Sequence, residues 1–375
     1  MAFLIFLFFE TQFKLAFFYQ SFLIIAGAFD ISWYFMGLED FKKTVVRNTF
    51  VKLASLIAIF ALVKSRNDIG IYILILSLSQ LLGNISLWPY LVKSVSKPKW
   101  RDLNIMAHLL PSLSLFVPQV ATTIYLAVNK TMLWKLDSVV ASGYYDYSDK
   151  LIKIVLAVVT ATGTVMLPHI ANLYANHKME QVKKYLYASC DFVLAISIPM
   201  AFGIAGISTT FAPWFFGAKF TSVNTLLLIE APVIIFIGLS NVIGQQYLLP
   251  TKRTKEFTQS VVLGAVVNVV INIPLIIFWG VRGAMYATVF SELTVTLYQL
   301  FRTRKDLSIR KLFVNFWKYI LAATIMFLVI FYLNTVMAIS TISLAFQIIV
   351  GLVLYLGLLL ILKPTILKQV KYFRK

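Results

Sequence analysis

Acidic residues, cysteine, histidine and long polar stretches are all scarce in these 375 residues. Acids number 15 against 34 Lys and Arg, a formal charge of +19, and only 13% of residues are charged. The lone cysteine, Cys190, rules out an intramolecular disulfide and leaves the redox compartment unmarked. The three histidines, His108, His169 and His177, are scattered, and no HExxH, Walker loop or Cys/His cluster occurs. Neither a metal site nor a cofactor is expected. No segment between apolar runs exceeds about 22 residues, so a soluble basic face for nucleic acid is not expected either. The longest such segment, 129–150, carries Asp137, Asp146 and Asp149 without a catalytic pair spacing, and these read as solvated loop charges. The missing extramembrane lobe points away from an enzyme.

What is present is apolar length. Sixty per cent of residues are hydrophobic. About 20 apolar residues carry a helix across the ~30 Å hydrocarbon layer. Full-length candidates are 14–36, 44–63, 69–92, 105–128, 151–174, 186–207, 222–249, 257–279, 281–301, 315–336 and 341–362. Before them stands Met1–Phe9, apolar but too short to cross alone. It has no basic n-region or small-residue cleavage site, so a signal peptide is not expected. The expected fold is an all-α integral membrane bundle, with about eleven full transmembrane helices and a partial one at the N-terminus.

Basic residues alternate with these spans. Segments 37–47, 93–104, 175–185, 250–257, 302–313 and 363–375 hold 23 Lys and Arg, whereas the intervening segments hold 8. The positive-inside rule places the first set, and the C-terminus, in the cytoplasm. The tail 363–375 is expected to lie on the anionic inner leaflet. Trp33, Tyr34, Trp88, Tyr90, Trp214, Trp279 and Trp317 fall near span ends, as in an interfacial belt.

Three stretches carry a family resemblance. Phe29-Asp-Ile-Ser-Trp-Tyr-Phe-Met-Gly-Leu-Glu-Asp-Phe-Lys-Lys43 is the first. Asn129-Lys-Thr-Met132 with Ser142-Gly-Tyr-Tyr-Asp-Tyr-Ser-Asp-Lys-Leu-Ile152 is the second, and Gly280-Val-Arg-Gly-Ala-Met-Tyr-Ala-Thr-Val-Phe-Ser-Glu292 the third. Leu248-Leu-Pro-Thr-Lys-Arg253 agrees with them. Together they resemble bacterial polysaccharide flippases of the Wzx type, in the multidrug/oligosaccharidyl-lipid/polysaccharide exporter superfamily. Asn129 departs from the pattern, which has an acid before Lys-Thr-Met.

The resemblance implies a two-lobed exporter fold with a central cavity that opens alternately to each side. Its N-lobe is 1–92, shortened by two and a half helices expected upstream. The C-lobe is 103–301, an added helix pair is 315–362, and the basic tail is 363–375. It implies a bacterial inner-membrane, multi-pass flippase for polyprenyl-diphosphate-linked oligosaccharide repeats of O-antigen, capsule or exopolysaccharide. The implied partners are that cargo, membrane lipids, and polysaccharide polymerase and chain-length proteins. A cation-coupled multidrug exporter of the same fold and a membrane glycosyl polymerase or ligase are the alternatives.

Charges inside spans cost about 2.5–3.5 kcal/mol each on insertion scales and therefore need a partner, a wet cavity or a route to the interface. Asp30 and Lys52 lie at similar depth, roughly 11 Å from the inner ends of adjacent spans. They read either as a structural clamp or as a gated pair. Lys130, Lys153 and Lys52 are the candidates to bind a cargo diphosphate, or else residues that snorkel. Glu230 and Glu292, with Asp30, are candidates for ion coupling or gating. Alternatively, the two glutamates hydrogen-bond a neighbouring helix, through Asn268 or Asn272 for example. Pro111 and Pro118 mark the span from 105 as the candidate hinge.

Overall fold

The computed structural model describes residues 14–92, 94–95 and 104–366, with the side chains inside 105–126 only in part. The stub Met1–Phe9 and most of the basic tail lie outside them. Two compact units divide the chain at Leu103 and Asn104.

In the first unit, α1 (Lys14–Ala28) and α2 (Ser32–Gly37) make one broken span. It is followed by α3 (Phe41–Leu62), α4 (Ile69–Ile85) and the short α5 (Trp88–Val92). α1 and α3 both pack on α4. The turn between α3 and α4 is closed by Asp68, whose carboxylate accepts from the Lys64 and Ser65 amides and the Ser65 hydroxyl. Those donors hold Asp68 below the usual carboxylate range.

The second unit begins with three long helices, α6 (Ile105–Leu136), α7 (Val139–Ala175) and α8 (Met179–Phe216). The next span is broken. α9 (Thr221–Glu230) gives way at Ala231–Pro232 to α10 (Val233–Ser240) and a π-helical stretch, Asn241–Leu248, with a 44° bend between the halves. Pro232 offers no amide to the preceding turn, which accounts for the break. α11 (Thr254–Trp279) and α12 (Val281–Thr303) form a hairpin packed along its length. The short α13 (Ile309–Leu312) leads to α14 (Phe316–Val336) and α15 (Thr341–Leu362), and α14 lies against α8.

Each expected span falls on a helix or, for 14–36, 69–92 and 222–249, on a broken one. Among the described residues, eight helices are long and apolar enough to cross a membrane, or nine with the bent pair counted as one span. α6 and α12 fall outside that set. In α12 the reason is packing: it buries Gly283, Ala284, Ala287, Thr288, Ser291, Glu292 and Thr296, a small and polar face turned to other helices rather than to lipid. Large apolar side chains instead point outward from α11 and α15, among them Val270, Phe278, Val353 and Leu360.

The third resemblance motif has a steric basis. Gly280 takes φ +56° in the one-residue turn between α11 and α12. At Gly283 an added Cβ would overlap the Leu275 carbonyl. Glycine therefore sets how closely α12 starts against α11.

The expected loop 129–150 is corrected by the structure. α6 continues to Leu136, Ser138 caps α7 by accepting the Ala141 amide, and only Asp137–Ser138 connect the two helices. Asp146 and Asp149 are helical, not solvated loop charges. Each bonds a lysine one turn on, Lys150 and Lys153, at 2.6 Å.

Candidate functional site

The second motif folds into a polar seam within the second unit. Asn129, on α6, is wholly buried. Its amide donates to the Tyr145 hydroxyl on α7 at 2.9 Å and to Thr288 on α12 at 3.4 Å. Its carbonyl accepts from Asn272 on α11 at 2.7 Å, and Tyr145 and Thr288 share a further bond at 2.9 Å. Four helices thus meet through one uncharged network, enclosed by Leu133, Ile276, Ala284 and Met285. A neutral amide serves as donor and acceptor at once, which an ionised carboxylate cannot do. This is the role Asn129 fills at a position where the resemblance leads one to expect an acid.

Beside the seam stand two ionic groups. Lys130 and Lys150 both pair with Asp146, and the Lys130 carbonyl accepts from the Ser142 hydroxyl. One turn along α7, Lys153 bonds the buried Asp149, and both lie within electrostatic reach of Glu230. Glu230 is 1% exposed at the C-terminal end of α9, immediately before the break, and its Oε2 has no hydrogen-bond partner among the described residues. Sequence separation hides this grouping, because α7 and α9 are far apart in the chain.

The other candidates fall elsewhere. Asp30 and Lys52 do not pair, which corrects the expected clamp. Asp30 accepts from the Ser32 amide and hydroxyl at 2.9 and 2.5 Å, and the cation it interacts with is Arg47. Lys52 is exposed. The polar tie in that unit runs from Arg47 to Asn84 (2.7 Å) and from Asn84 to the Ala26 carbonyl (2.6 Å), joining α3, α4 and α1. Glu292 is buried on α12. Asn272 spends its amide on Asn129 and Met132, not on an acid, and Asn268 is buried without a hydrogen-bond partner among the described residues. Pro111 and Pro118 sit within α6, and their side chains lie outside the described residues.

Two features escape sequence reasoning. Asp191, on α8, is a buried acid that accepts from the Asn315 amide, the Tyr319 hydroxyl and the Thr365 hydroxyl, anchoring the segment around α14 to α8. A lone acid in an apolar run was the available signal. The second is a network at the π-helix, where Gln246 accepts from Ser189 at 2.6 Å and donates to Asn241 at 3.2 Å. Near it a largely apolar cavity of about 570 Å³ opens between α7 and α8, lined by Thr162, Met166, Tyr185, Ser189 and Phe192.

Among the described residues no cluster of His, Cys, Asp and Glu has the arrangement of a metal site. The site is built from hydrogen-bonding and ion-pairing side chains. Lysine ammonium groups suit anions, and buried carboxyl groups suit a proton or cation.

Residues 4–174 match the family model described as polysaccharide biosynthesis protein. The chain is 26% identical over 287 residues to a putative O-antigen transporter of Shigella dysenteriae, covering 75% of this chain and 70% of the relative. It is 23% identical over 223 residues to a probable low-salt glycan biosynthesis flippase of Haloferax volcanii, covering 59% and 47%. Its fold is similar to that of the lipid II flippase MurJ in an inward closed conformation, with a TM-score of 0.61 and 21% identity. That likeness covers 82% of this chain but 64% of the solved one, so the chain spans less than two thirds of that flippase. The family match over residues 4–174 and the O-antigen transporter relatives support a likeness to the Wzx-type polysaccharide flippases, and the MurJ likeness agrees with the multi-pass helical fold.

Proposed function

We propose that this protein is a flippase that moves polyprenyl-diphosphate-linked oligosaccharide repeats from the inner to the outer leaflet of a bacterial inner membrane. The repeats would feed O-antigen, capsule or exopolysaccharide assembly. The observation that carries the reading is the buried polar seam around Asn129, with the partly exposed Lys130 beside it, in an apolar bundle whose curated relatives bear transporter or flippase names.

The cargo's headgroup is hydroxyl-rich and anionic, and it must be shielded from hydrocarbon while its tail stays in lipid. Two lysines on one aspartate leave a net positive charge at Lys130, Asp146 and Lys150. Lysine acts there as a compact point charge for phosphate. Lys153, tied to Asp149, is the second cation in our proposal and Lys52 the third. Glu230 is the coupling group. It ends a half-helix, where carbonyls also favour a cation, and broken helices recur at transporter ion sites. Glu292 and Asp30 are secondary candidates for coupling or gating, and Pro111 and Pro118 for the hinge.

In this reading the basic connections and the C-terminus face the cytoplasm. The protein transports its cargo without chemical change, and polysaccharide polymerase and chain-length proteins receive it in the outer leaflet. The test is complementation of a strain deleted for the locus. Restored surface polysaccharide, with inner-leaflet lipid-linked repeats cleared, is the expected result. Repeats joined into chains by the purified protein would mark a polymerase instead. Drug efflux with no effect on repeats would mark a multidrug exporter, and either result would overturn the proposal.

A further inference from the structure

The end of the second unit opposite the α11–α12 turn gathers its basic connections. Arg253, before α11, bonds Asp306 at 2.5 Å and the Arg302 carbonyl at 3.2 Å. Tyr187, on α8, accepts the Ser308 amide at 2.9 Å. Leu307 is buried, so the connection 304–308 is pinned from three sides. Against it opens a polar cavity of about 600 Å³, lined by Lys183, Lys184, Arg304, Lys305 and Lys311 and by only two carboxylates, Glu180 and Asp306.

Neither carboxylate neutralises the cavity. Asp306 is engaged by Arg253, which does not line it. Glu180 lies 3.7 Å from Lys183 with a side chain 92% exposed, where water screens the pair. Two of the cations are positioned by aromatic faces: Arg304 over Phe301 at 4.1 Å and Lys311 over Tyr187 at 5.8 Å. The cavity is therefore preorganised, net positive and lined by exposed polar side chains, the chemistry of a phosphate site.

Its surroundings indicate what kind of phosphate. Just past Lys311 the chain exposes Val314 and Trp317, with Ile309 on the near side. Exposed apolar side chains ending in a tryptophan mark the headgroup level of a bilayer. A ligand placed there meets cations at its head and apolar surface at its tail. Basic pockets between helices at a membrane rim suit anionic lipid headgroups.

We infer that the cavity formed by Lys184, Arg304, Lys305 and Lys311 is a resident site for the phosphate of an anionic phospholipid such as phosphatidylglycerol, separate from the seam at Asn129. A phosphate on the cargo lipid and free inorganic phosphate share the recognised chemistry, so the experiment separates the three sources.

The full chain is purified in neutral detergent, and retained lipid is counted by native mass spectrometry after exposure to phosphatidylcholine vesicles with and without phosphatidylglycerol. Wild type is expected to keep phosphatidylglycerol and not phosphatidylcholine. The triple variant Lys184→Ala, Lys305→Ala, Lys311→Ala is expected to bind it about tenfold or more weakly, since each cation at the surface adds attraction for anionic lipid. A control triple, Lys178→Ala, Lys255→Ala, Arg310→Ala, removes equal charge from exposed positions that do not line the cavity. It is expected to bind as wild type does. Equal loss in both triples, or none in the first, would overturn the site. Displacement by inorganic pyrophosphate at the same concentration would assign it to a free anion. Preference for a polyprenyl diphosphate over phosphatidylglycerol would assign it to the cargo. Thermal unfolding of each triple separates lost binding from lost folding.

Discussion

Asn129 and Tyr145 meet at 2.9 Å between α6 and α7, and the same asparagine accepts from Asn272 on α11 at 2.7 Å. One side chain therefore ties three helices, and through Thr288 a fourth. Replacing it with alanine leaves the buried Asn272 amide only the weak Met132 sulfur acceptor and the Tyr145 hydroxyl only Thr288. Asn129→Ala is expected to cost about 1–3 kcal/mol, as for other buried groups that lose a partner. Thermal unfolding in detergent reads this out, and an unchanged midpoint would remove the seam from the stability of the fold.

The tie in the first unit is Arg47–Asn84–Ala26, not Asp30–Lys52. Arg47→Ala removes a charge-assisted bond to a buried asparagine and is expected to lower stability by about 1–3 kcal/mol. Lys52→Ala, at an exposed position, is expected to fall within about 0.5 kcal/mol of wild type. Comparing unfolding of the two variants decides between the ties, and a larger effect at Lys52 would restore the original pair.

Lys130 shares Asp146 with Lys150, so its removal leaves the acid partnered. Partly exposed pairs contribute about 0–1 kcal/mol, and Lys130→Ala is expected to fold normally. Export is nevertheless expected to fall, because the diphosphate loses a cation. Surface polysaccharide at matched protein level is the measurement. Full export would rule out a required role.

Glu230 has an oxygen without a hydrogen-bond partner among the described residues, at the helix break near Asp149 and Lys153. Glutamine keeps the shape and cannot exchange a proton. Glu230→Gln is expected to flatten the pH dependence of repeat-unit transport while leaving the protein folded. A pH profile matching wild type would exclude Glu230 as the coupling group.

Much of the architecture is legible in the chain itself. The length of an apolar run is tied to bilayer thickness, so the helix positions and the multi-pass fold follow from hydropathy. The Gly280–Gly283 turn is likewise readable as a motif, since only glycine meets its sterics. Tertiary structure decided the rest. Hydropathy averages polarity and reads 129–150 as loop, whereas one-turn Asp–Lys pairs and the Ser138 cap make most of it helix. Partners lie far along the sequence: Asn129 bonds residues 143 and 159 positions away, and Asp191 bonds Asn315, 124 positions on. Equal depth suggested Asp30 and Lys52, but rotation about the helix axis sets which side chains face each other, and it turned Arg47 inward instead. Sequence alone determined that the chain is a membrane bundle, because burial in lipid acts on each helix separately. Only the packed structure decided which of its few polar groups meet, because that depends on helix rotation and on contacts between distant segments.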